Sequence, residues 1–222
     1  MSDKVLKIAA GEQLDRVFVI GKDEVPFDTI ILEKEARANL VFLIGPGVGA
    51  NLPLKVDLQG PGADINLSGA YLCTGEDKVD ISVELHHSVP DCTSHQLFKG
   101  IADDASRVSF YGKIIVEPDA QHTEALQENH SLLLSYDARV NTKPQLEIYA
   151  DDVKCNHGAT IGRLDEEEQF YMRSRGISLE NAKMLQMISY VHPVLDLIVD
   201  ENLKASMLEA LQDAVHCFIH KN

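Results

Sequence analysis

Gly60-Pro61-Gly62-Ala63-Asp64-Ile65-Asn66-Leu67-Ser68-Gly69-Ala70-Tyr71-Leu72 places a turn directly before a strand-forming segment. Glycine and proline together let the backbone corner, and the small Ala63 opens a stretch in which side chains alternate between two faces. The arrangement recurs at Ala50-Asn51-Leu52, after Gly45-Pro46-Gly47, and at Ala105-Ser106-Arg107-Val108. Short apolar or alternating segments follow one another from about Phe27 to Tyr149: Thr29–Leu32, Ala38–Ile44, Leu52–Leu58, Asp64–Leu72, Val79–Leu85, Val108–Val116, His130–Leu134 and Gln145–Tyr149. Turn formers such as Thr74-Gly75-Glu76-Asp77 and Val89-Pro90-Asp91 separate them, and no helical period interrupts them. The recurrence of roughly 13 to 18 residues fits rungs stacked in a solenoid, and the same spacing fits an antiparallel sandwich.

After Gly162 the pattern changes. Asp165 followed by Glu168 has the spacing of a capped helix start and predicts a helix over Glu166–Ser174. Ser178 offers a second cap before Leu179–Val191, where Ala182, Leu185, Ile188 and Val191 recur in three-residue steps. Pro193 predicts the end of that helix or a kink in it. A third helix fits Glu201–His220, with Leu203, Met207, Leu208, Leu211, Val215 and Phe218 on one stripe. Residues 1–162 thus read as a β body and residues 163–222 as a helical domain.

The 222 residues are 45% hydrophobic, enough for a sizeable core. A formal charge of -15 and a pI near 4.9 argue against nucleic acid or anionic lipid as partner, since both attract a positive surface. No apolar run approaches the roughly 20 residues of a membrane span, and Met1–Lys7 lacks the apolar centre of a signal peptide. The expected location is the cytoplasm. Cys73, Cys92, Cys155 and Cys217 are scattered without Cys-x-x-Cys spacing, which predicts reduced thiols. Gly45-Pro46-Gly47-Val48-Gly49 lacks the Lys-Ser/Thr of a phosphate loop, and neither Gly-x-Ser-x-Gly nor His-Glu-x-x-His occurs. No enzymatic activity is expected.

The densest chemistry lies in Lys154-Cys155-Asn156-His157-Gly158-Ala159-Thr160-Ile161-Gly162. Cys155 and His157 are two apart, so an extended strand would present a thiol and an imidazole on one face. Both are competent ligands for iron. The residues also allow a plainer role, in which His157 caps the last rung and Cys155 is a small buried hydrophobe. Glu84, His86 and His95 form a second acid-and-imidazole set, which would suit a cupin-like or β-helix metalloenzyme; a surface pair is the plainer reading. His122 and His130 carry the same ambiguity.

Read with its flanks, this block resembles the C-terminal core of the SufB/SufD family of iron-sulfur cluster assembly proteins, and the D-type member more than the B-type. The matching residues run colinearly over about Lys99 to Ile177: Lys99-Gly100, Gly112-Lys113-Ile114, Ala120-Gln121-His122-Thr123, Gln127, Asn129, Leu132-Leu133-Leu134-Ser135, Lys143-Pro144, Leu146-Glu147-Ile148, Ala150 to Cys155, His157-Gly158-Ala159-Thr160, Gly162, Phe170-Tyr171 and Arg173-Ser174-Arg175-Gly176-Ile177. The resemblance implies a right-handed parallel β-helix closed by C-terminal helices. It implies a scaffold that works with a SufC-type ABC ATPase, pairing through its β-helix with a SufB-type subunit or with itself as a homodimer. A transient iron-sulfur cluster, or iron, would then be the cargo. By the same resemblance His157 occupies the cluster-associated histidine position, with Cys155 as a candidate second donor. Phe170, Tyr171, Arg173, Arg175 and Gly176 would belong to the platform that receives the ATPase, or dock the tail on the β body. The B-type cysteine would fall near Pro144, which cannot ligate. Family members carry a region ahead of the β-helix, whereas this sequence enters strand-like segments almost at once.

Overall fold

The computed structural model describes residues 4–21 and 25–219. Its first part is a parallel β-solenoid. Odd-numbered strands form one sheet: β1 (Val5–Ile8), β3 (Thr29–Leu32), β5 (Ala50–Leu58), β7 (Lys78–His87), β9 (Arg107–Val116) and β11 (Arg139–Ile148). Even-numbered strands form the other: β2 (Gln13–Ile20), β4 (Arg37–Ile44), β6 (Asp64–Cys73), β8 (Thr93–Ala102), β10 (Glu124–Leu133) and β12 (Lys154–Gly162). Every neighbouring pair is parallel and in register, as where Ile81 stands between Leu52 and Phe110. One strand from each sheet completes a turn, so the short recurrence in the sequence is half of the structural repeat. The antiparallel sandwich is excluded by the pairing.

The corners explain why the rungs stack. Gly11, Glu35, Gly62, Asp91 and His122 adopt positive φ at successive levels of one corner, and Gly21, Gly47, Gly75 and Asp104 do so at the other. A left-handed residue turns the chain sharply, and Gly, Asn and Asp tolerate it best. The residue after each such corner is small and fully buried at Ala36, Ala63, Cys92 and Thr123, because the interior is narrow there. Corners are also bonded between levels: Asp104 accepts from the Gly75 amide at 2.8 Å, and Asp77 from the Gly47 amide at 2.9 Å.

Inward-facing side chains form an apolar column through most of the length, including Leu32, Leu58, Leu40, Leu67, Val83 and Leu85. Phe18 stacks on Phe42 with ring centroids 5.1 Å apart. Burying each such side chain is worth about 1.5–3 kcal/mol before entropy is counted.

Three helices follow: α1 (Glu166–Ser174), α2 (Leu179–Leu195) and α3 (Glu201–Ile219). The first matches its expected bounds. The second runs through Pro193 to Leu195, because Val194 and Leu195 are buried and the proline ring is accommodated in the last turn. Its buried stripe is Ala182, Met187, Val191 and Val194, while Leu185 is exposed, contrary to the three-residue stepping. The expected end of the third helix at His220 lies outside the described residues. Helices α2 and α3 pack on the outer face of the even sheet, where Val41, Ala70, Leu72, Ile101 and Leu132 meet Met187, Val191, Leu211, Val215 and Phe218. That sheet is therefore apolar on both faces over its middle strands. No helix among the described residues is long and apolar enough to cross a membrane.

Candidate functional site

Strands β11 and β12 are the last members of their sheets, and among the described residues no further rung covers them. Their inner faces are the open end of the solenoid. On β11 these are Val140, Thr142, Pro144, Leu146 and Ile148, in register above Val108, Phe110, Gly112, Ile114 and Val116. On β12 they are Cys155, His157, Ala159 and Ile161, above Ala125, Gln127, Asn129 and Ser131. Cys155 and His157 thus share a face, as their spacing predicts. His157 is exposed and Cys155 half-buried. Burial pushes the Cys155 thiol up, so in the isolated chain it stands protonated at neutral pH.

Beneath this rung the interior changes character. The column that reads Leu40 and Leu67 in the early rungs continues as Gln96, Gln127 and His157. Gln127 donates from Nε2 to Gln96 Oε1 at 3.1 Å. Gln96 Nε2, Gln127 Oε1, both amide atoms of Asn129, and Thr142 Oγ1 are buried without a partner among the described residues. None of these amides was assigned inward from the sequence, where polar residues mask the alternation. The signal that finds them is register: Gln96, Gln127 and His157 lie 31 and 30 residues apart.

The second candidate set is not assembled. His86 bonds Glu84 at 2.8 Å on the outer face of the odd sheet, while His95 is on the outer face of the even sheet, 3.3 Å from Glu128. Alternation on β7 and β8 points all three side chains away from the interior that separates the sheets, which corrects their grouping as one site. His87 faces inward and bonds Ser94 at 2.9 Å. His122 bridges Asp91 and Asp152 at a corner, and His130 bonds Thr160. Among the described residues no group of three or more His, Cys, Asp or Glu side chains is placed to hold a metal ion.

Helix α1 is closed at both ends by caps. Asp165 Oδ1 accepts from the Glu167 and Glu168 amides at 2.7 and 3.0 Å. At the other end Gly176, with φ 89°, lets its own amide reach Arg173 O at 3.0 Å and the Ile177 amide reach Met172 O at 3.2 Å, a Schellman closure. The inner side is tied to α2 by Gln169 Nε2 donating to Gln186 Oε1 at 2.9 Å. The outer side leaves Phe170 72% and Tyr171 60% exposed, with the Arg175 guanidinium 5.3 Å from the Tyr171 ring. Arg173, Phe170, Arg163 and Tyr136 line an open recess of about 810 Å³.

Residues 27–189 match the family described as SUF system FeS cluster assembly, SufBD core domain. The chain belongs to the SufBD core family. It is 36% identical to SufD of Escherichia coli over 82% of this chain and 43% of that protein. It is 42% identical to a SufBD family protein of Synechocystis over 61% of this chain and 29% of that protein, and 33% identical to SufD of Plasmodium falciparum over 83% of this chain and 13% of that protein. The chain therefore spans less than half the length of these relatives. In this SufBD core the matched region runs from the strands of the early rungs through the open end and α1 into α2.

Proposed function

We propose that this SufBD core is the scaffold part of a D-type subunit in a SUF-type iron-sulfur cluster assembly complex, acting in the cytoplasm without catalysing a reaction itself. The open end is its pairing surface, for a SufB-type subunit or a second copy. His157, with Cys155 beside it, supplies part of the ligand set for a nascent cluster, and the partner supplies the rest. The helical part, 163–222, carries a SufC-type ABC ATPase on Phe170, Tyr171, Arg173 and Arg175, with Gly176 shaping the helix end between them.

The observation that carries this reading is the position of His157. It stands on the inner face of the last rung, where it is exposed and where a second solenoid would cover it. A neutral imidazole binds iron and exchanges more readily than thiolate, which suits a scaffold that must give up its cargo. The exposed aromatic and cationic face of α1 offers the anchors that protein interfaces favour.

Anaerobic reconstitution with ferrous iron and sulfide tests the reading, using this chain alone and with its paired subunit. Loss of the visible cluster absorbance in His157→Ala is the expected result. Unchanged cluster retention would remove His157 from the site and leave a purely architectural module. For the platform, Phe170→Ala combined with Tyr171→Ala is expected to weaken ATPase capture at least tenfold in a pull-down, without loss of helix content.

A further inference from the structure

We propose that Gln127 is a positioning residue for His157: its side-chain carbonyl accepts the N–H of one imidazole nitrogen and leaves the lone pair of the other for iron. The inference rests on the reading of His157 as a ligand and deepens it.

Three observations converge on Gln127. In-register parallel pairing places it directly beneath His157, one strand spacing of about 4.8 Å away, and on the same inner face. Its amide is held by Nε2, which donates to Gln96 Oε1 at 3.1 Å. That leaves Oε1 as the free end, fully buried and without a donor. Gly112, on the opposite sheet, keeps the space the amide occupies as it crosses the interior: a Cβ there would stand 2.4 Å from Gln127 Nε2 and 2.7 Å from Cδ.

A buried carbonyl without a donor costs free energy, and the nearest ring that can supply one by register is His157. The other unpartnered polar groups of this level are placed differently. Asn129 lies beneath Ala159, and Thr142 belongs to the opposite strand β11. A metal-ligating histidine commonly donates its second ring nitrogen to a carbonyl or carboxylate, which fixes tautomer and ring orientation.

The test is ¹⁵N-detected NMR of the histidine rings in the full metal-free chain, beside a ferrous iron titration. Wild-type His157 is expected to show one dominant neutral tautomer. Gln127→Asn draws the carbonyl back by one methylene and is expected to give a mixture of two, with ferrous affinity about tenfold weaker. Gln127→Glu keeps an acceptor at full length and is expected to retain the single tautomer. Should Gln127→Asn fail to fold, Gln96→Met, which frees the Gln127 amide, carries the same expectation of a mixture. An unchanged tautomer ratio in a folded variant overturns the proposal, as does a changed ratio with unchanged ferrous affinity where His157→Ala weakens it. If His157→Ala itself leaves ferrous affinity unchanged, the ligand reading fails while the tautomer result still judges the hydrogen bond.

Discussion

Tyr71 is fully buried and reaches past Gly100 to bring its hydroxyl within 2.6 Å of Ser131 Oγ, two strands away in the same sheet. The ring occupies the volume a side chain at position 100 would need, since a Cβ on Gly100 would stand 1.9 Å from the ring. Phe98 lies over Gly69 in the same manner, with 2.6 Å left to a Cβ. The interior is thus filled between levels, a large group on one rung taking the space of a glycine on the next. Gly100→Ala is expected to expel the ring and break the Ser131 bond, at a cost of about 2–4 kcal/mol in urea unfolding. His87 sets the pH response of the same interior. Burial lowers its pKa from 6.5 to about 4. The unfolded chain therefore takes up a proton between pH 6.5 and 4 that the folded chain refuses. Its contribution is fully present above pH 6.5 and is lost as pH falls toward 4, by up to about 3 kcal/mol. Urea midpoints measured across that window should fall with pH in the wild type and much less steeply in His87→Leu.

Helix α1 is a short element held by its end caps and by Gln186 of α2, which accepts from Gln169 and donates to Glu168 and to the Asp165 carbonyl. Asp165→Ala removes the acceptor for two first-turn amides and is expected to cost about 1 kcal/mol. The loss should register as faster hydrogen exchange in Glu166–Ser174, with the solenoid amides unchanged. Those caps were legible as sequence, and so were strands with an apolar inner face from Thr29 on, Asp64–Cys73 and Lys78–His87 among them, though β1 and β2 ahead of them were not read. Strand β8 and the first halves of β10 and β11 were not. Their inward positions hold Ser94, Gln96, Gln127, Asn129, Thr142 and Pro144, so hydrophobic alternation disappears where the interior turns polar. The shared face of Cys155 and His157 followed from a spacing of two within one strand. The same spacing puts Glu84 and His86 on one face of β7, but His95 could not be placed that way, because it sits on β8 of the other sheet and only the winding of the chain decides its separation.

At the scale of the molecule, the solenoid has one flank sealed by helices, and its last rung is uncovered among the described residues. Helices α2 and α3 cover the outer face of the even sheet, but among the described residues no strand stacks on β11 and β12. The inner faces of these strands expose Ile148 at 41% and Ile161 at 44%, each directly above a fully buried residue, Val116 and Ser131. The last rung therefore presents exposed apolar side chains on a partly polar end face, flanked by two unpaired strand edges, which is the condition that favours strand-to-strand association. If a second solenoid covers that face, a charge placed there should separate the two copies while leaving the single chain intact. Ile161→Lys adds its ammonium where the isolated chain already admits water, so urea unfolding of the monomer should change by less than about 1 kcal/mol. Association with the SufB-type subunit or with itself, followed by analytical ultracentrifugation, should weaken at least tenfold. Equal weakening in a variant that places lysine on the outer face of the same strand, Asn156→Lys, would show instead that net charge governs assembly and that the open end is not the seam.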